Sequence, residues 1–225
     1  MTHPLDKPIW SALTNRQSHF ASGGELAKRF PAEVSPFIVA SSHSPQALAA
    51  LAALIQGNEE VSLLERVLPL PPGDIAATTL PCVQMTAAVL PSGGRDHAIE
   101  PLGDADAEEM LALATLTRPG PYRLRTHTMG RFLGVRAGTR LVAMGGERLA
   151  MDGFTEVSGL CTHPDYRGRG YGEALLRALA ARILGEGAIP FLHSYASNAG
   201  AIALYRRMGF RVRAQITHAI WKRNS

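Results

Sequence analysis

The stretch Tyr166-Arg167-Gly168-Arg169-Gly170-Tyr171-Gly172 decides the fold of this chain of 225 residues. An apolar segment before it predicts a strand over residues 156–162, and residues 170–184 predict an amphipathic helix whose apolar face holds Leu175, Leu176, Leu179 and Ile183. A helix N-terminus offers unpaired N–H groups and the positive end of the helix dipole, and both favour phosphate. Alternating glycines let the backbone approach phosphate oxygens, and arginines add charge-assisted contacts. The stretch therefore predicts a diphosphate site at a strand-to-helix turn.

Two commoner nucleotide-binding loops do not fit this stretch. A Walker A loop ends in Gly-Lys-Ser or Gly-Lys-Thr, which the sequence lacks. A dinucleotide-binding fingerprint has the order Gly-x-Gly-x-x-Gly, whereas the order here is Gly168-x-Gly170-x-Gly172. The remaining alternative is a turn whose glycines only ease packing, and the two arginines beside those glycines argue against it.

Strands and helices are predicted on both sides of a connector at residues 91–97, Pro-Ser-Gly-Gly-Arg-Asp-His, which breaks all periodicity. Before the connector the sequence predicts a helix opened by Ser44-Pro45 and strands at 37–40, 61–67 and 82–86. After it the predicted helices are 104–116, 170–184 and 198–208. The predicted strands are 98–102, 132–135, 141–148, 156–162, 189–195 and a last pair of short strands within 210–221. We therefore divide the chain into an N-terminal α/β region, 1–96, and a second domain, 97–225.

Composition limits the class of protein. With 46% hydrophobic residues the chain is able to bury a core, but its longest apolar run, residues 47–55, falls short of the roughly 20 residues of a membrane span. Asp6 and two prolines lie where a signal peptide needs an apolar segment, so we expect a cytoplasmic protein without a membrane partner. Two cysteines, Cys82 and Cys161, and scattered histidines predict neither a disulfide framework nor a metal site.

The positive charge is concentrated in the second domain. Residues 1–96 hold six basic and eight acidic side chains, and the remainder holds 17 and 11, so the two parts carry −2 and +6. Such a part attracts a phosphorylated cofactor, an acidic substrate or nucleic acid. Nucleic acid is the least favoured, because no zinc finger, helix-turn-helix pattern or interleaving of aromatic and basic residues accompanies the charge.

The motif and its surroundings resemble the GCN5-related N-acetyltransferase (GNAT) superfamily, whose signature Arg/Gln-x-x-Gly-x-Gly/Ala opens a helix after a strand. Arg167, Gly170 and Gly172 match it, and Glu156-Val-Ser-Gly-Leu-Cys-Thr-His-Pro-Asp-Tyr-Arg-Gly-Arg-Gly is most similar to the FR47-like branch. The similarity covers residues 97–222. It implies an α/β fold of the α+β kind, with a mixed, mostly antiparallel central sheet flanked by helices. Residues 1–96 would be a smaller α/β part, compatible with the degenerate GNAT-like half of some relatives.

The resemblance implies an acyl-CoA-dependent N-acyltransferase that moves an acetyl group from acetyl-CoA to a primary amine by direct attack. In the family, the strand before the loop splays from its neighbour and binds the pantetheine arm, which here assigns the arm to Leu160, Cys161 and Thr162. The diphosphate is assigned to the loop, Arg167, Gly168, Arg169, Gly170, Tyr171 and Gly172.

The segment Asn198-Ala-Gly-Ala-Ile-Ala-Leu-Tyr205 is similar to a later helix of the family. Asn198 and Tyr205 are two helical turns apart, so both are expected to face the cofactor. The resemblance gives Tyr205 the role of donating a proton or hydrogen bond to the departing thiolate. Glu156 is our candidate for accepting the amine proton, directly or through water.

Each of these side chains also has a simpler interpretation. Tyr205 could pack its ring inward, Asn198 could cap its helix, and Glu156 could be a solvated residue at a strand edge, with Glu147 as a lesser candidate base. An acyl-cysteine at Cys161 is disfavoured, because burial makes a thiol inert. The alternative function is a non-catalytic acyl-CoA-binding regulatory module. The acceptor, a small molecule or a protein, and a homodimer are left open.

Overall fold

The fold was obtained as a computed structural model, which describes residues 3–224. Within this range the α-helices are α1 (Pro8–Leu13), α2 (Pro45–Ala53), α3 (Ala107–Thr117), α4 (Tyr171–Gly185) and α5 (Ala199–Arg207). The strands are β1 (Ser22–Gly23), β2 (Ala27–Arg29), β3 (Ile38–Ala40), β4 (Val61–Glu65), β5 (Ile75–Thr86), β6 (Glu100–Leu102), β7 (Phe132–Ala137), β8 (Arg140–Met151), β9 (Phe154–Thr162), β10 (Ile189–Tyr195) and β11 (Arg211–Arg223).

An eight-stranded sheet with the order β4-β11-β5-β10-β9-β8-β7-β6 forms the frame of the molecule, beside a small sheet of β1, β2 and β3. In the large sheet β9 and β10 are parallel, and the other neighbours pair antiparallel. This arrangement confirms the predicted mixed, mostly antiparallel sheet flanked by helices. A parallel pair needs a crossover, and α4 supplies it between β9 and β10.

Strands from both sides of residue 96 pair in this sheet. β4 and β5 lie on either side of β11, so residues 61–86 are continuous with the second half of the chain. The division into an N-terminal α/β region, 1–96, and a second domain, 97–225, stays a prediction. The connector between the parts lies near the glycine loop, residues 166–172. Arg95 Cδ in the connector is 3.5 Å from the point where a Cβ on Gly170 would lie.

Most predicted elements agree with the structure, and one prediction was wrong. Ser44 caps α2 by accepting a hydrogen bond from the Ala47 N–H at 3.3 Å, as its place before Pro45 predicted. The expected pair of short strands within 210–221 is instead the single strand β11. A register shift between Val212 and Ala214 locally bends β11 without ending it, because β5 pairs with β11 on both sides of the shift.

The strand β10 is buried on both faces. Phe191 packs with Ile9 of α1 on one face, whereas the next residue, Leu192, packs with Leu179 of α4 on the other. The two faces therefore hold separate apolar cores. Within residues 3–224, no helix is both long and apolar enough to cross a membrane.

Candidate active site

The glycine loop has the backbone conformation of a ligand cradle at the start of α4. Gly168 and Gly170 have φ values of 77° and 90°, in the left-handed region that favours glycine. A Cβ on Gly168 would meet no atom within 4 Å, so the backbone conformation rather than crowding requires glycine there. Gly170 is the N-cap of α4, and its carbonyl accepts the Ala174 N–H at 3.0 Å. The first N–H groups of a 15-residue helix therefore face outward at this loop.

A groove with a volume of about 990 Å³ runs from this loop along β9 to α5. It brings together most of the predicted binding residues, namely Leu160, Cys161, Thr162, Arg167, Gly168, Gly170, Gly172, Asn198 and Tyr205. Four arginines line it, Arg95, Arg118, Arg167 and Arg207, against one acid, Glu173, which pairs with Arg177 at 3.3 Å. The groove therefore suits an anionic ligand.

Two of the predicted binding residues direct their side chains elsewhere, and a third, Cys161, has an unreactive one. The Arg169 guanidinium lies 4.8 Å from the Tyr166 ring, and Tyr171 sets its ring edge-on to His97 at 4.8 Å; neither residue lines the groove. The Cys161 side chain is buried, and burial raises the pKa of its thiol to about 11. Cys161 is thus an inert thiol in a residue that lines the groove.

The strands β9 and β10 part beside the groove. Their pairing ends at Glu156 opposite Phe191, although β9 continues to Thr162 and β10 to Tyr195. Gly159, with φ 64°, lies in a bulge of β9, because Met144 and Gly146 of β8 pair with Cys161 and Ser158. Gly159 and Leu160 therefore have no partner in register in β8 or in β10, which leaves backbone polar groups free. We call the gap between β9 and β10 beyond Glu156 and Phe191 the fork.

Tyr205 lies at the head of the fork. It lines the groove and also the small cleft between the parted strands, which Ser158, Leu160 and His193 line as well. Burial raises the pKa of the Tyr205 hydroxyl to about 12, so the phenol stays protonated at neutral pH. Asn198 caps α5, its Oδ1 accepting the Ala201 N–H at 3.2 Å, and also lines the groove.

Glu156 is held in a buried ion pair. Its side chain is 1% exposed, and Arg148 donates to it from Nε at 2.9 Å and from Nη2 at 2.8 Å. Burial alone would raise the pKa of this carboxyl, but Arg148 and then His193 outweigh that effect and lower it to about 2. The interpretation of Glu156 as a solvated strand-edge residue was therefore wrong. Such a carboxylate has no surface from which to take a proton directly. Glu147, the lesser candidate, is also buried, and burial raises its pKa.

His193 lies at the fork, although from the sequence a structural or exposed role was favoured for it over a catalytic one. Its Nδ1 lies 2.7 Å from Glu156 Oε1, and its Nε2 lies 2.9 Å from Gln84 Nε2. Because the Gln84 oxygen accepts from Arg213, its amide nitrogen donates to His193, which assigns the imidazole proton to Nδ1. The sequence does contain a signal for the position of His193. Period-two alternation along β10 places this histidine on the same face as Phe191.

A second space beside the groove also reaches the fork. A chamber of about 140 Å³, lined by Tyr205, His193 and Ser158, adjoins a larger cavity of about 550 Å³. Tyr195 and His218 line both spaces, and Arg118 lines both as well as the groove. The fork is therefore accessible to two ligands from two directions.

Comparison with known proteins places this architecture in a family. Residues 132–221 match the family model described as FR47-like protein. A crystal structure of a GNAT-family protein from Novosphingobium aromaticivorans is 40% identical in sequence, with 100% of both chains covered and a TM-score of 0.92. The chain belongs to the GNAT family of acetyltransferases. A GCN5-related N-acetyltransferase from Kribbella flavida has the same fold at 17% identity, covering 97% of this chain and 93% of its own, with a TM-score of 0.63. No curated protein is significantly similar to this chain in sequence.

GNAT proteins use an acyl-CoA donor, and the groove of this GNAT chain fits one. The positive-φ glycines offer a phosphate cradle, the parted edge of β9 offers free backbone groups, and the arginines offer positive charge. Among residues 3–224, no three His, Cys, Asp or Glu side chains are placed to share a metal ion.

Proposed function

We propose that this GNAT protein is an N-acyltransferase that moves an acetyl group from acetyl-CoA to a primary amine by direct attack. One observation carries the proposal: the groove and the chamber meet at the fork between β9 and β10, where both are lined by Tyr205 and Leu160. A donor in the groove and an acceptor in the chamber would meet there without a covalent enzyme intermediate. The inert, buried thiol of Cys161 also supports transfer without a covalent enzyme intermediate.

The donor would be held chiefly by main chain. The N–H groups of the loop from Gly168 to Gly172 suit the diphosphate, with Arg167 as the nearby charge and with Arg169 and Tyr171 contributing backbone only. The free edge of Leu160, Cys161 and Thr162 suits the pantetheine arm, with Asn198 across the groove. When bound, acetyl-CoA supplies a thioester carbon that an amine attacks.

Two groups at the fork would stabilise charge as the thioester reacts. Backbone N–H groups at the bulge, Gly159 and Leu160, suit the oxygen that becomes negative, because they have no partner in the sheet register. The Tyr205 hydroxyl would donate a hydrogen bond or proton to the departing sulfur, since its raised pKa keeps the proton in place.

We propose that Glu156 acts on the amine proton through His193. The carboxylate is buried and permanently charged, whereas the His193 ring lines the chamber. By accepting the Nδ1–H, the carboxylate fixes the orientation and tautomer of the ring and leaves Nε2 as the ring atom that would accept the amine proton. To receive it, Nε2 must give up its hydrogen bond from Gln84. Glu156 is thus a positioning residue in this proposal.

Isothermal titration of acetyl-CoA into the wild type and two variants tests the donor site. Gly170→Trp should abolish binding, because it places an indole at the cradle. Gly187→Trp is the matched control, since Gly187 also has a positive φ of 80° and open space but lies beyond the other end of α4. Binding lost in both variants would trace the loss to general strain. Binding retained in Gly170→Trp would refute the cradle.

An amine screen on the same samples separates the enzyme from the acyl-CoA-binding module. Binding of acetyl-CoA without N-acetylation of any amine in a broad panel would favour the non-catalytic module. The observation that favours the non-catalytic module is the buried Glu156–Arg148 ion pair, because its carboxylate is not an exposed base. Formation of any N-acetylated product, detected by mass, would rule the module out.

A further inference from the structure

The larger cavity, which shares Arg118, Tyr195 and His218 with the chamber at the fork, has the character of a binding site for a particular class of acceptor. We propose that the acceptor is a small primary amine with a carboxylate close to the amine and an apolar body, and that Arg118 binds the carboxylate. The inference rests on the proposed acyl transfer and names the substrate class of that site.

Most of the surface that lines the cavity is apolar, although Ser62, Tyr195 and His218 also contribute to it, and its size suits a small molecule. Its volume of about 550 Å³ lies within the range of roughly 300–1,000 Å³ typical of ligand pockets. The walls that would contact the body of an acceptor are formed by Pro36, Leu80, Pro81, Pro121 and Ile220. These residues offer hydrophobic contact and no directed hydrogen bond, so they select an apolar group.

The charges around the cavity favour an anion. Arg118 and Arg123 line it, and within residues 3–224 neither has a carboxylate partner within 4.0 Å. The single acid of the lining, Glu60, has a cation of its own, Lys222, at 3.8 Å. Two arginines without carboxylate partners beside an apolar wall are suited to bind a carboxylate. The two oxygens of a carboxylate match the parallel N–H groups of a planar guanidinium.

Arg118 is placed by an unusual backbone. It is the C-cap of α3 with φ 51° and ψ 58°, and among the described residues it is the one non-glycine residue with positive φ. For an ordinary side chain this conformation costs about 1–2 kcal/mol, and glycine or asparagine is the usual occupant of such a cap. Stability alone would favour glycine here, so an arginine in this strained conformation points to a role for the guanidinium.

The position of Arg118 also limits the distance between the acceptor's two polar groups. Arg118 lines the chamber that contains Tyr205 and His193, as well as the larger cavity. A carboxylate at Arg118 thus leaves the amine of the same small molecule near the fork. This favours amino carboxylates whose amine and carboxylate are separated by one or two carbons over long amino acids with remote amines.

Acylation of matched acceptors tests the inference. We would measure kcat and KM for phenylalanine, phenylalaninamide and phenethylamine, and for the corresponding leucine series, in which only the carboxylate changes. Arg118→Gln removes the charge and keeps a side chain with the same backbone preference. Arg118→Lys restores a positive charge without the planar geometry of the guanidinium. Arg125→Gln is the control, because Arg125 is an exposed arginine of the same segment that lines none of the three spaces.

The expected result is preference for the free carboxylates and a rise of about tenfold or more in their KM in Arg118→Gln. Arg118→Lys should recover part of the loss, and Arg125→Gln should leave the KM of every acceptor unchanged. Because Arg118 is one of four arginines along the donor groove, Arg118→Gln should raise the KM for acetyl-CoA much less than the KM of the carboxylate acceptors. Thermal shifts provide a readout without turnover: with CoA present, N-acetylphenylalanine should stabilise the wild type more than its amide does, and Arg118→Gln should remove the difference.

Other outcomes overturn the inference in distinguishable ways. Equal acylation of carboxylates, amides and amines, or an unchanged KM in Arg118→Gln, would refute the acceptor class and leave the transferase proposal intact. A raised KM for acetyl-CoA alone would reassign Arg118 to the donor. No acylation of any panel member together with no thermal shift would also refute the acceptor class, and the separate titration with acetyl-CoA decides whether the donor site falls too.

Discussion

Glu156 Oε1 lies 2.7 Å from His193 Nδ1, and the two residues stand on the strands that part at this point. Glu156 is the last residue of β9 in register with β10, and His193 follows its partner Phe191 by two positions. The contact therefore bridges the strands where main-chain pairing stops. With Arg148 on the other side, it fixes a buried negative charge at the base of the fork.

Replacing the buried carboxylate should cost substantial stability. Glu156→Gln leaves the Arg148 guanidinium buried without a counter-charge, so we expect a loss of about 3 kcal/mol in the free energy of unfolding, measured in urea. Because the folded-state pKa of Glu156 is lowered from 4.5 to about 2, its contribution is complete above pH 4.5 and disappears as the pH falls towards 2.

The exposed ion pairs of Glu186 supply the control for this variant. Glu186 contacts Arg131 and Arg182 with its side chain 46% exposed, so Glu186→Gln should cost less than about 1 kcal/mol. Equal losses in the two variants at neutral pH would contradict the assignment of Glu156 as a desolvated, paired charge.

His218 should make stability fall on mild acidification. Burial first, then the charge of Arg148 and the neighbouring His193, lowers the pKa of His218 from 6.5 to about 4. Between these values the unfolded chain binds a proton and the folded protein does not, so lowering the pH from 6.5 to 4 costs about 3 kcal/mol. Unfolding free energies across this interval should vary less with pH in His218→Gln than in the wild type. The exposed His19→Gln should retain the wild-type slope; a wild-type slope in His218→Gln would show that other groups cause it.

The Tyr205 hydroxyl should affect turnover and not binding. Tyr205→Phe keeps the ring against Phe210, 6.3 Å between centroids, and removes only the proton donor. We expect kcat to fall about 10- to 100-fold while the Kd for acetyl-CoA stays within twofold. Tyr166→Phe removes a hydroxyl outside the groove and should leave both constants unchanged. Full turnover in Tyr205→Phe would remove this residue from the mechanism.

Crowding at β8 makes a further glycine substitution informative. A Cβ on Gly146 would lie 2.3 Å from Phe132 Cγ, so Gly146→Ala must displace a buried ring next to the bulge of β9. We expect a loss of about 1–3 kcal/mol in unfolding free energy. Gly185→Ala, at the last residue of α4 with no atom within 4 Å of its Cβ, should be neutral or stabilise by up to about 1 kcal/mol. A smaller loss in Gly146→Ala than in Gly185→Ala would contradict the packing described at Phe132.

The local parts of the site could be predicted from the sequence because local rules determine them. Glycines at 168 and 170, a helix beginning at Tyr171, and the cap at Asn198 follow from backbone conformation and from hydrogen bonds between near neighbours. The strand β10 agrees with its predicted range, residues 189–195, since an apolar run between turn residues limits it on both sides. The likeness to the GNAT superfamily rested on these same segments.

The tertiary structure decided which residues of different strands and helices come into contact. The charge state and burial of Glu156 depend on Arg148, eight residues away across a hairpin, and on His193, 37 residues away across the fork. Likewise Arg118 joins three spaces only because α3 ends beside both the groove and the chamber. Side-chain spacing within one element is written in the sequence through its period, whereas pKa values, ion pairs and cavities arise from contacts between elements. For this reason the sequence alone determined the glycine turn at the start of α4 and the order of elements from β6 to α5, and only the packed sheet decided which residues meet at the fork.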